Sequence, residues 1–357
     1  MTRTAERAEA ARFLQDFVDA GAQPVETAIL QPAETLLDLY GEDIRARAFT
    51  TQGPDGEAML RPDFTVPVVQ MHMDSAADPA RYCYAGEVFR RQPEDAGRAA
   101  EYMQVGFELF GADPARADAE CFALFHRLLA PLNLRVHTGD IGILTAAVHG
   151  LTTTDARKTA LLRHIWRPRR FRALLDRFAG RSAPPASRAA ILSATDPLAN
   201  AGPEIGLRSR DEVAARIETL RADAATPPLS DGELALIDDL LAIREPSDAA
   251  LAHLRDLSVD LPAITTAVDG LARRLEALDD TGIDPAALPF EASHGRATME
   301  YYDGFVFSFC ASSRPDLPPV ATGGRYDALT RVLGQGRAMP AVGGVIRPAL
   351  TLEVAQC

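Results

Sequence analysis

The size and charge of the chain limit the classes of protein it can belong to. It has 357 residues, of which 47% are hydrophobic, and a formal net charge of −13. A chain of this length can bury a large core, either as one large domain with an insertion or as two domains. Proteins that bind nucleic acids usually carry basic patches that neutralise phosphates, so the acidic balance argues against an RNA-binding protein.

The cysteines and histidines do not form a metal-binding pattern. The 4 cysteines are scattered without a CxxC pair, and the 7 histidines form no HExxH motif. We therefore expect no metal, no cofactor and reduced thiols. The N-terminus lacks the apolar core of a signal peptide, and no apolar run approaches the ~20 residues of a membrane span. These features predict a soluble, cytoplasmic protein.

The first half of the chain alternates between helix and strand patterns. Residues 4–20 predict an amphipathic helix that ends at Gly21, and residues 57–70 predict a strand followed by a turn and a new element. Residues 82–90 and 101–110 predict two strands of a hairpin, joined by a polar loop.

The second strand of this hairpin has the clearest periodicity in the sequence. Met103, Val105, Phe107 and Leu109 alternate with a second set of positions that includes Tyr102, Gly106 and Phe110, so the four share one face of the sheet. Gln104 and Glu108 then share the opposite face. The hairpin therefore predicts two polar side chains together on one surface.

The rest of the chain predicts an α+β fold. A helix over 113–131 and a strand over 134–138 precede a long stretch of helical periodicity, which includes a capping box at Ser230 and Glu233. Strand patterns return at 299–311 and 340–346, and a helix begins near Pro348. We predict an antiparallel sheet flanked by helices, with a core over 1–150 and 285–357 and a helical insertion over 151–284.

Several segments, in order, resemble the catalytic core of class II aminoacyl-tRNA synthetases and specifically histidyl-tRNA synthetase. The matching segments are LRPDFT (60–65) for the family's LRPEGT, VFR to EYMQ (88–104, with Gly97 and Arg98) for motif 2, EYYDG (300–304) for RGLDYYTG, GGRYD (323–327) and PAVG (340–343) for the approach to motif 3, and the stretch from Pro32 to Ile44 for motif 1, the usual dimer element. The resemblance covers most of the chain.

The resemblance also shows where this chain departs from a working synthetase. Gln92 stands where the family has Glu, Leu350 stands where motif 3 has arginine, and Ala297 stands where the RGLDYY segment has arginine, with Arg296 adjacent. Fixed arginines stabilise the charge that develops during adenylate formation, so their loss argues against amino-acid activation. A substitution by Arg296 for the arginine missing at Ala297 stays open at this point. The chain also ends just after motif 3, so we expect that it lacks the family's anticodon-binding domain.

The residues that bind histidine in the family match this sequence more closely than the arginines needed for activation do. By resemblance, the histidine-binding residues are Asp63, Thr65, Arg90, Gln104, Glu108, Tyr301 and Tyr302, with Tyr326 as a further wall residue. Carboxylates and an amide suit the N–H donors of an ammonium group and an imidazole.

A synthetase core with a retained amino-acid pocket and damaged activation chemistry resembles the regulatory subunits of ATP phosphoribosyltransferase. That family implies a role in the first step of histidine biosynthesis and in feedback inhibition by histidine. It also implies a short-form catalytic subunit as the partner, a hetero-octamer that contains dimers of this chain, and no contact with nucleic acid or membrane.

Two other hypotheses remain open at this stage. One is a histidine-activating enzyme, either a truncated synthetase or an adenylating paralogue; the other is a scaffold that has kept the fold without a ligand. Each segment also has an ordinary structural interpretation on its own: Glu108 as an exposed edge charge, Gln104 as a cross-strand polar residue, the Tyr301–Tyr302 pair as strand aromatics, and GGRYD as a turn and helix start.

Overall fold

A computed structural model gives the fold, and it describes residues 2–34, 47–53, 56–75, 79–92, 99–199, 201–296 and 301–356. Within these ranges the helices are α1 (Arg3–Asp19), α2 (Thr65–Ser75), α3 (Pro114–Leu129), α4 (Ile141–Gly150), α5 (Asp155–Arg163), α6 (Pro168–Phe178), α7 (Ala186–Ser193), α8 (Arg210–Ala225), α9 (Asp231–Ala242), α10 (Ser247–Asp260), α11 (Thr265–Asp280), α12 (Asp327–Leu333) and α13 (Pro348–Val354). The strands are β1 (Gln23–Pro24), β2 (Leu30–Pro32), β3 (Thr50–Gly53), β4 (Gly56–Leu60), β5 (Ala80–Phe89), β6 (Glu101–Phe110), β7 (Arg135–Asp140), β8 (Arg244–Pro246), β9 (Pro289–Glu291), β10 (Phe305–Cys310), β11 (Ala321–Arg325) and β12 (Ala341–Ile346).

Most of these strands form one large sheet. Its strand order is β1-β5-β6-β12-β11-β10-β7-β9-β8, and β2, β4 and β3 form a separate small sheet. The pairings from β5 to β7 are antiparallel, whereas the short strands β1 and β9 pair in parallel with β5 and β7. The predicted α+β fold with an antiparallel sheet is therefore confirmed.

One face of the large sheet carries the aromatic core. Phe107 of β6 and Phe307 of β10 are buried on this face. The Phe107 ring contacts Phe17 of α1, with ring centroids 5.6 Å apart, and the Phe307 ring contacts Phe125 of α3, with ring centroids 5.5 Å apart. The period-2 pattern of β6 produces this arrangement, because Met103, Val105, Phe107 and Leu109 share one face of the strand. Its polar residues consequently point to the opposite face.

A buried network of charges ties α3 to the sheet and to α11. Asp118 of α3 accepts hydrogen bonds from Arg325 at 2.7 Å and from Arg274 of α11 at 3.3 Å. Arg274 also donates to Asp140, at the end of β7, at 2.8 Å. These side chains are at most 9% exposed, so each charge depends on its partners rather than on water.

Residues 151–284 are mainly helical, with the Ser230–Glu233 capping box formed as predicted. The exception is β8, which pairs with β9 and so extends the large sheet. Helix α11 packs along α3 in the core. The division into a core and an insertion stays a prediction, and the segment as observed is in close contact with the rest of the chain.

One strand prediction near the C-terminal end was wrong in its bounds. The strand expected from 299 begins only at Phe305, since the Asp303 carboxylate caps α12 by accepting hydrogen bonds from the backbone N–H groups of Asp327 and Ala328, at 3.0 and 2.5 Å. The ordinary interpretation of GGRYD as a turn and helix start is correct for the helix, since α12 begins at Asp327, but wrong for the turn, because Ala321–Arg325 form β11 between β10 and β12.

Some predicted features lie outside the described residues. These are most of the Pro32–Ile44 stretch, the Gly97–Arg98 part of the motif 2 loop, and the position of Ala297. Within the ranges that the structure describes, none of the helices combines the length and apolarity that a bilayer crossing needs.

Candidate functional site

The site centres on Glu108, in the middle of β6. The side chain is 1% exposed and lies between β5 and β12, so its interpretation as an exposed edge charge is wrong. One carboxylate oxygen accepts hydrogen bonds from Thr65 Oγ1 at 2.9 Å and from the Tyr84 hydroxyl at 2.8 Å. The other accepts from the Tyr326 hydroxyl at 2.5 Å. Three hydroxyls therefore solvate a carboxylate that water does not reach.

Burial decides the protonation of Glu108. It raises the pKa of this carboxyl to about 7, although the three hydroxyl donors act in the opposite direction and favour the ionised form. The nearby Asp63 carboxylate raises the pKa further. Glu108 is thus a group that can change charge near neutral pH, within a site that holds it in one position.

Two glycines make room for this arrangement. Gly343 of β12 is paired with Glu108, and a Cβ at Gly343 would lie 1.6 Å from Glu108 Oε2. Gly106 is paired with Tyr84, and a Cβ there would lie 2.2 Å from the tyrosine ring. Any other residue at these two positions would displace the carboxylate or the tyrosine that binds it.

Asp63 and Arg90 form a second polar pair beside Glu108. Asp63 is buried in the loop between β4 and α2, and its Oδ2 lies 3.8 Å from Arg90 Nη2. Arg90 follows β5 and donates through Nε to the Pro62 carbonyl oxygen at 2.7 Å, which fixes its position. A carboxylate and a guanidinium therefore lie at one end of the site.

Gln104 presents an acceptor that no group in the described part of the chain uses. It is 1% exposed, and Gly86 of β5 is paired with it. Its Oε1 atom is buried and accepts no hydrogen bond. Leaving a buried acceptor unpaired costs about 1–3 kcal/mol, so the arrangement suits a ligand that supplies a donor.

Tyrosine side chains enclose the site. The Tyr301 hydroxyl donates to Thr65 Oγ1 at 3.4 Å, and the Tyr301 and Tyr302 rings lie 4.8 Å apart, edge to face. Burial and the charge of Glu108 raise the pKa of Tyr302, so this phenol stays neutral. The structure thus brings together Asp63, Thr65, Arg90, Gln104, Glu108, Tyr301 and Tyr302, as the resemblance implies.

Sequence reasoning missed two residues of this site. Tyr84 binds Glu108, and the signal for it was present, because the hairpin register pairs this large residue with Gly106. Arg347 follows β12, and its surroundings include Arg90 and Tyr302. No local pattern indicates it, because β12 reaches the site only through pairing with the distant strand β6.

The arginine positions that matter for activation differ from the family pattern. Leu350 is an apolar residue packed against the core, and it places no charge where the motif 3 arginine of the family stands. Arg296 is directed to the helical segment: its Nε donates to the Ile165 carbonyl at 2.8 Å, and its guanidinium lies 4.7 Å from the Phe171 ring centroid. Burial lowers its pKa to about 10.

Other parts of the described chain carry weaker candidate sites. A groove between the end of α1, α3 and the end of α11 is lined by charges of both signs, including Glu120, Arg127 and Asp280, but no buried unpaired acceptor faces it. In the described ranges no group of three or more His, Cys, Asp or Glu side chains is arranged to hold a metal ion.

Comparison with known proteins covers almost the whole chain. A family model described as histidyl-tRNA synthetase matches residues 2–225 and 207–349. Two curated proteins called ATP phosphoribosyltransferase regulatory subunit, from Allorhizobium ampelinum and Mesorhizobium japonicum, are 34% and 33% identical to this chain, and each alignment covers 94% of both chains.

Solved structures agree on the fold. A Bacillus halodurans protein described as an ATP phosphoribosyltransferase regulatory subunit/histidyl-tRNA synthetase superposes with a TM-score of 0.69 at 22% identity, over 98% of this chain and 79% of that one. The histidyl-tRNA synthetase from Nostoc gives a TM-score of 0.65 at 17% identity, over 98% and 72%. The class II synthetase-like fold inferred from the motifs is therefore confirmed.

Proposed function

Because this chain belongs to the family of ATP phosphoribosyltransferase regulatory subunits, which is built on the histidyl-tRNA synthetase fold, we propose that it senses histidine and regulates a separate catalytic subunit. In this role it supports the first step of histidine biosynthesis and carries no catalytic site of its own. The catalytic partner is a short-form ATP phosphoribosyltransferase subunit. The assembly we propose is a hetero-octamer that contains dimers of this chain, in the cytoplasm.

The buried acceptors of the site are the observation that carries this proposal. Glu108 lies among three hydroxyls, and none of the residues that the structure describes gives the Gln104 Oε1 atom a donor. Histidine offers N–H donors from its imidazole and its ammonium group. In our proposal Glu108 accepts from the imidazole, whereas Asp63 and Gln104 accept from the ammonium group.

Feedback inhibition by histidine follows from linkage between binding and conformation. Histidine inhibits if it binds the inactive arrangement of the complex more tightly than the active one. A coupling free energy of about 1–3 kcal/mol corresponds to about a 5- to 150-fold change in affinity. This regulation requires only a site whose affinity for histidine differs between the active and inactive arrangements, and it requires no chemical reaction of histidine.

Calorimetry on the purified full chain, alone and with its catalytic subunit, tests the sensor function. We expect saturable histidine binding that weakens in Glu108→Gln, because the amide cannot carry the charge that attracts an N–H donor. Glu101→Gln is a matched control, since Glu101 lies on the same strand but is exposed and pairs only with Arg3 at the surface. If histidine does not bind to the complex, or binds with the same affinity to Glu108→Gln, the sensor proposal is wrong.

The competing function, histidine activation, predicts a different result. Adenylate formation requires arginines around the reacting phosphate, and Leu350 removes one of them. An ATP–pyrophosphate exchange assay with histidine distinguishes the two functions: we expect no exchange above background. Co-purification with the short catalytic subunit, and histidine inhibition of the reconstituted complex, would separate a regulator from a scaffold without a ligand.

A further inference from the structure

We infer that Arg347, together with Arg90, binds the carboxylate of the amino acid whose side chain Glu108 recognises. Arg347 then determines that the site takes a whole amino acid and discriminates against analogues that lack the acid group. The inference rests on the proposed histidine-sensing function and deepens it. Arg347 lies three positions before Leu350, and the family resemblance assigns no charged residue to position 347.

The strand register places Arg347 on the face that carries the site. Gly343, paired with Glu108, and Val345, paired with Gly106, lie on this face of β12, so alternation brings Arg347 to the same face. The pairing of β12 with β6 runs up to Ile346 and Val105. Continued by one residue along both strands, this register would place Arg347 opposite Gln104, whose Oε1 atom has no donor among the described residues.

Hydrogen bonds to β11 and to the loop before it hold the guanidinium of the half-buried Arg347 in place. Its Nη1 donates to the Pro319 carbonyl at 2.7 Å, and its Nη2 lies 3.5 Å from the Thr322 hydroxyl oxygen of β11. Thr322 is paired with Val345, so it also lies on the site face. These contacts are to neutral oxygens, which hold the group in place without cancelling its charge.

No carboxylate in the described part of the chain pairs with Arg347. Burial lowers the pKa of Arg347; the neighbouring Tyr102 raises it, and the Arg90 guanidinium lowers it again. None of the ion pairs in the described part of the chain includes Arg347, whereas Arg90 pairs with Asp63, whose Oδ2 lies 3.8 Å from Arg90 Nη2. Two guanidiniums that lie close together in a partly dry site favour an anion between them.

The donors and acceptors therefore follow one another along the site in the order of the carboxylate, ammonium group and side chain of an amino acid. Arg90 and Arg347 donate at one end, Asp63 and Gln104 accept beside them, and Glu108 accepts deeper in the sheet. A zwitterion with a polar side chain matches this order: its carboxylate meets the arginines, its ammonium group meets Asp63 and Gln104, and its imidazole reaches Glu108. The phosphate of a nucleotide offers the same anionic chemistry, so the experiment must distinguish the two.

Calorimetry with L-histidine and L-histidinol tests the inference on the full chain. Histidinol keeps the imidazole and the ammonium group but carries a hydroxymethyl group in place of the carboxylate. We expect Arg347→Gln to weaken histidine binding about 10- to 100-fold, the usual effect of losing a charged hydrogen bond, and to leave histidinol binding unchanged. Arg347→Lys should restore part of the preference, because it keeps the charge and loses the planar fork.

A matched control separates binding from folding. Arg157 is another buried arginine, which donates to Asp223 at 2.7 Å in the helical segment, so Arg157→Gln should leave the ratio of histidine to histidinol affinity at the wild-type value. An equal loss for both ligands in Arg347→Gln would show a structural role and overturn the inference. An unchanged histidine affinity in Arg347→Gln would also overturn the inference. If that variant at the same time binds AMP more weakly, Arg347 binds a phosphate and not the carboxylate of an amino acid. If the wild-type chain binds no histidine at all, the proposed function itself fails.

Discussion

The protonation of Glu108 should be visible in the stability of the whole protein. Burial raises its pKa from an ordinary 4.5 to about 7. Between these two pH values the folded chain keeps a proton on Glu108 that the unfolded chain has already released. Stability therefore falls as the pH rises through this window, because ionisation costs more in the folded state than in water.

The size of the effect follows from the two pKa values. A rise from 4.5 to about 7 corresponds to about 3 kcal/mol of lost stability once the pH exceeds the folded-state pKa. Glu108→Gln has no proton to lose, so the variant should not show this loss. Wild type should therefore lose stability relative to Glu108→Gln as the pH rises from about 5 to about 8, by an amount of this order.

Urea denaturation at several pH values, without histidine, measures this difference. The midpoint and slope for wild type and Glu108→Gln give the free energy of unfolding at each pH. Asp303, whose pKa burial raises to about 6, lowers the stability of both proteins in part of the same window, and the comparison cancels its contribution. Glu101→Gln should follow wild type. Parallel profiles for wild type and Glu108→Gln would refute the reasoning that burial controls this carboxyl.

Two further substitutions probe the site and the core. Gly343→Ala should abolish histidine binding in calorimetry and lower stability by about 1–3 kcal/mol, because the new Cβ occupies the position of the Glu108 carboxylate. The control is Gly344→Ala, whose new Cβ meets an aromatic ring on the opposite face, so this variant should lose stability but still bind histidine. Equal histidine binding by the two variants would contradict the role of Gly343. Asp118→Asn should cost about 3–5 kcal/mol in denaturant unfolding, because it leaves Arg325 short of its buried partner, and a loss below about 1 kcal/mol would show that the pair is not needed.

Local periodicity was sufficient to predict the centre of the site. The two strands of the β5–β6 hairpin are close in sequence, and the alternation of apolar residues in β6 correctly assigned Gln104 and Glu108 to one face. What it did not predict is that this face is buried. The burial comes from α2 and from the segment around Tyr301, which reach the site through long-range contacts.

The errors have a common physical origin. Tyr301 and Tyr302 have the composition of a strand, yet Asp303 caps a helix instead of continuing the ladder. Likewise, GGRYD has the composition of a turn, although β11 lies between two neighbours that supply its hydrogen bonds. Arg347 was overlooked because its role depends on the register between β12 and β6, which are far apart in the chain. In each case long-range contacts, and not the local preference of the sequence, determined the conformation or position of the residues.

The charge network beneath the sheet has a consequence for anyone who wishes to shorten this protein. The helical stretch over 151–284 has the look of a removable module, but Arg274 within it neutralises Asp118 and Asp140 inside the core. Excision of that stretch would leave the buried Asp140 without its arginine and Asp118 with Arg325 as its remaining cation. A minimal version of the chain would have to keep α11, or replace both aspartates at the same time, before it could be expected to fold.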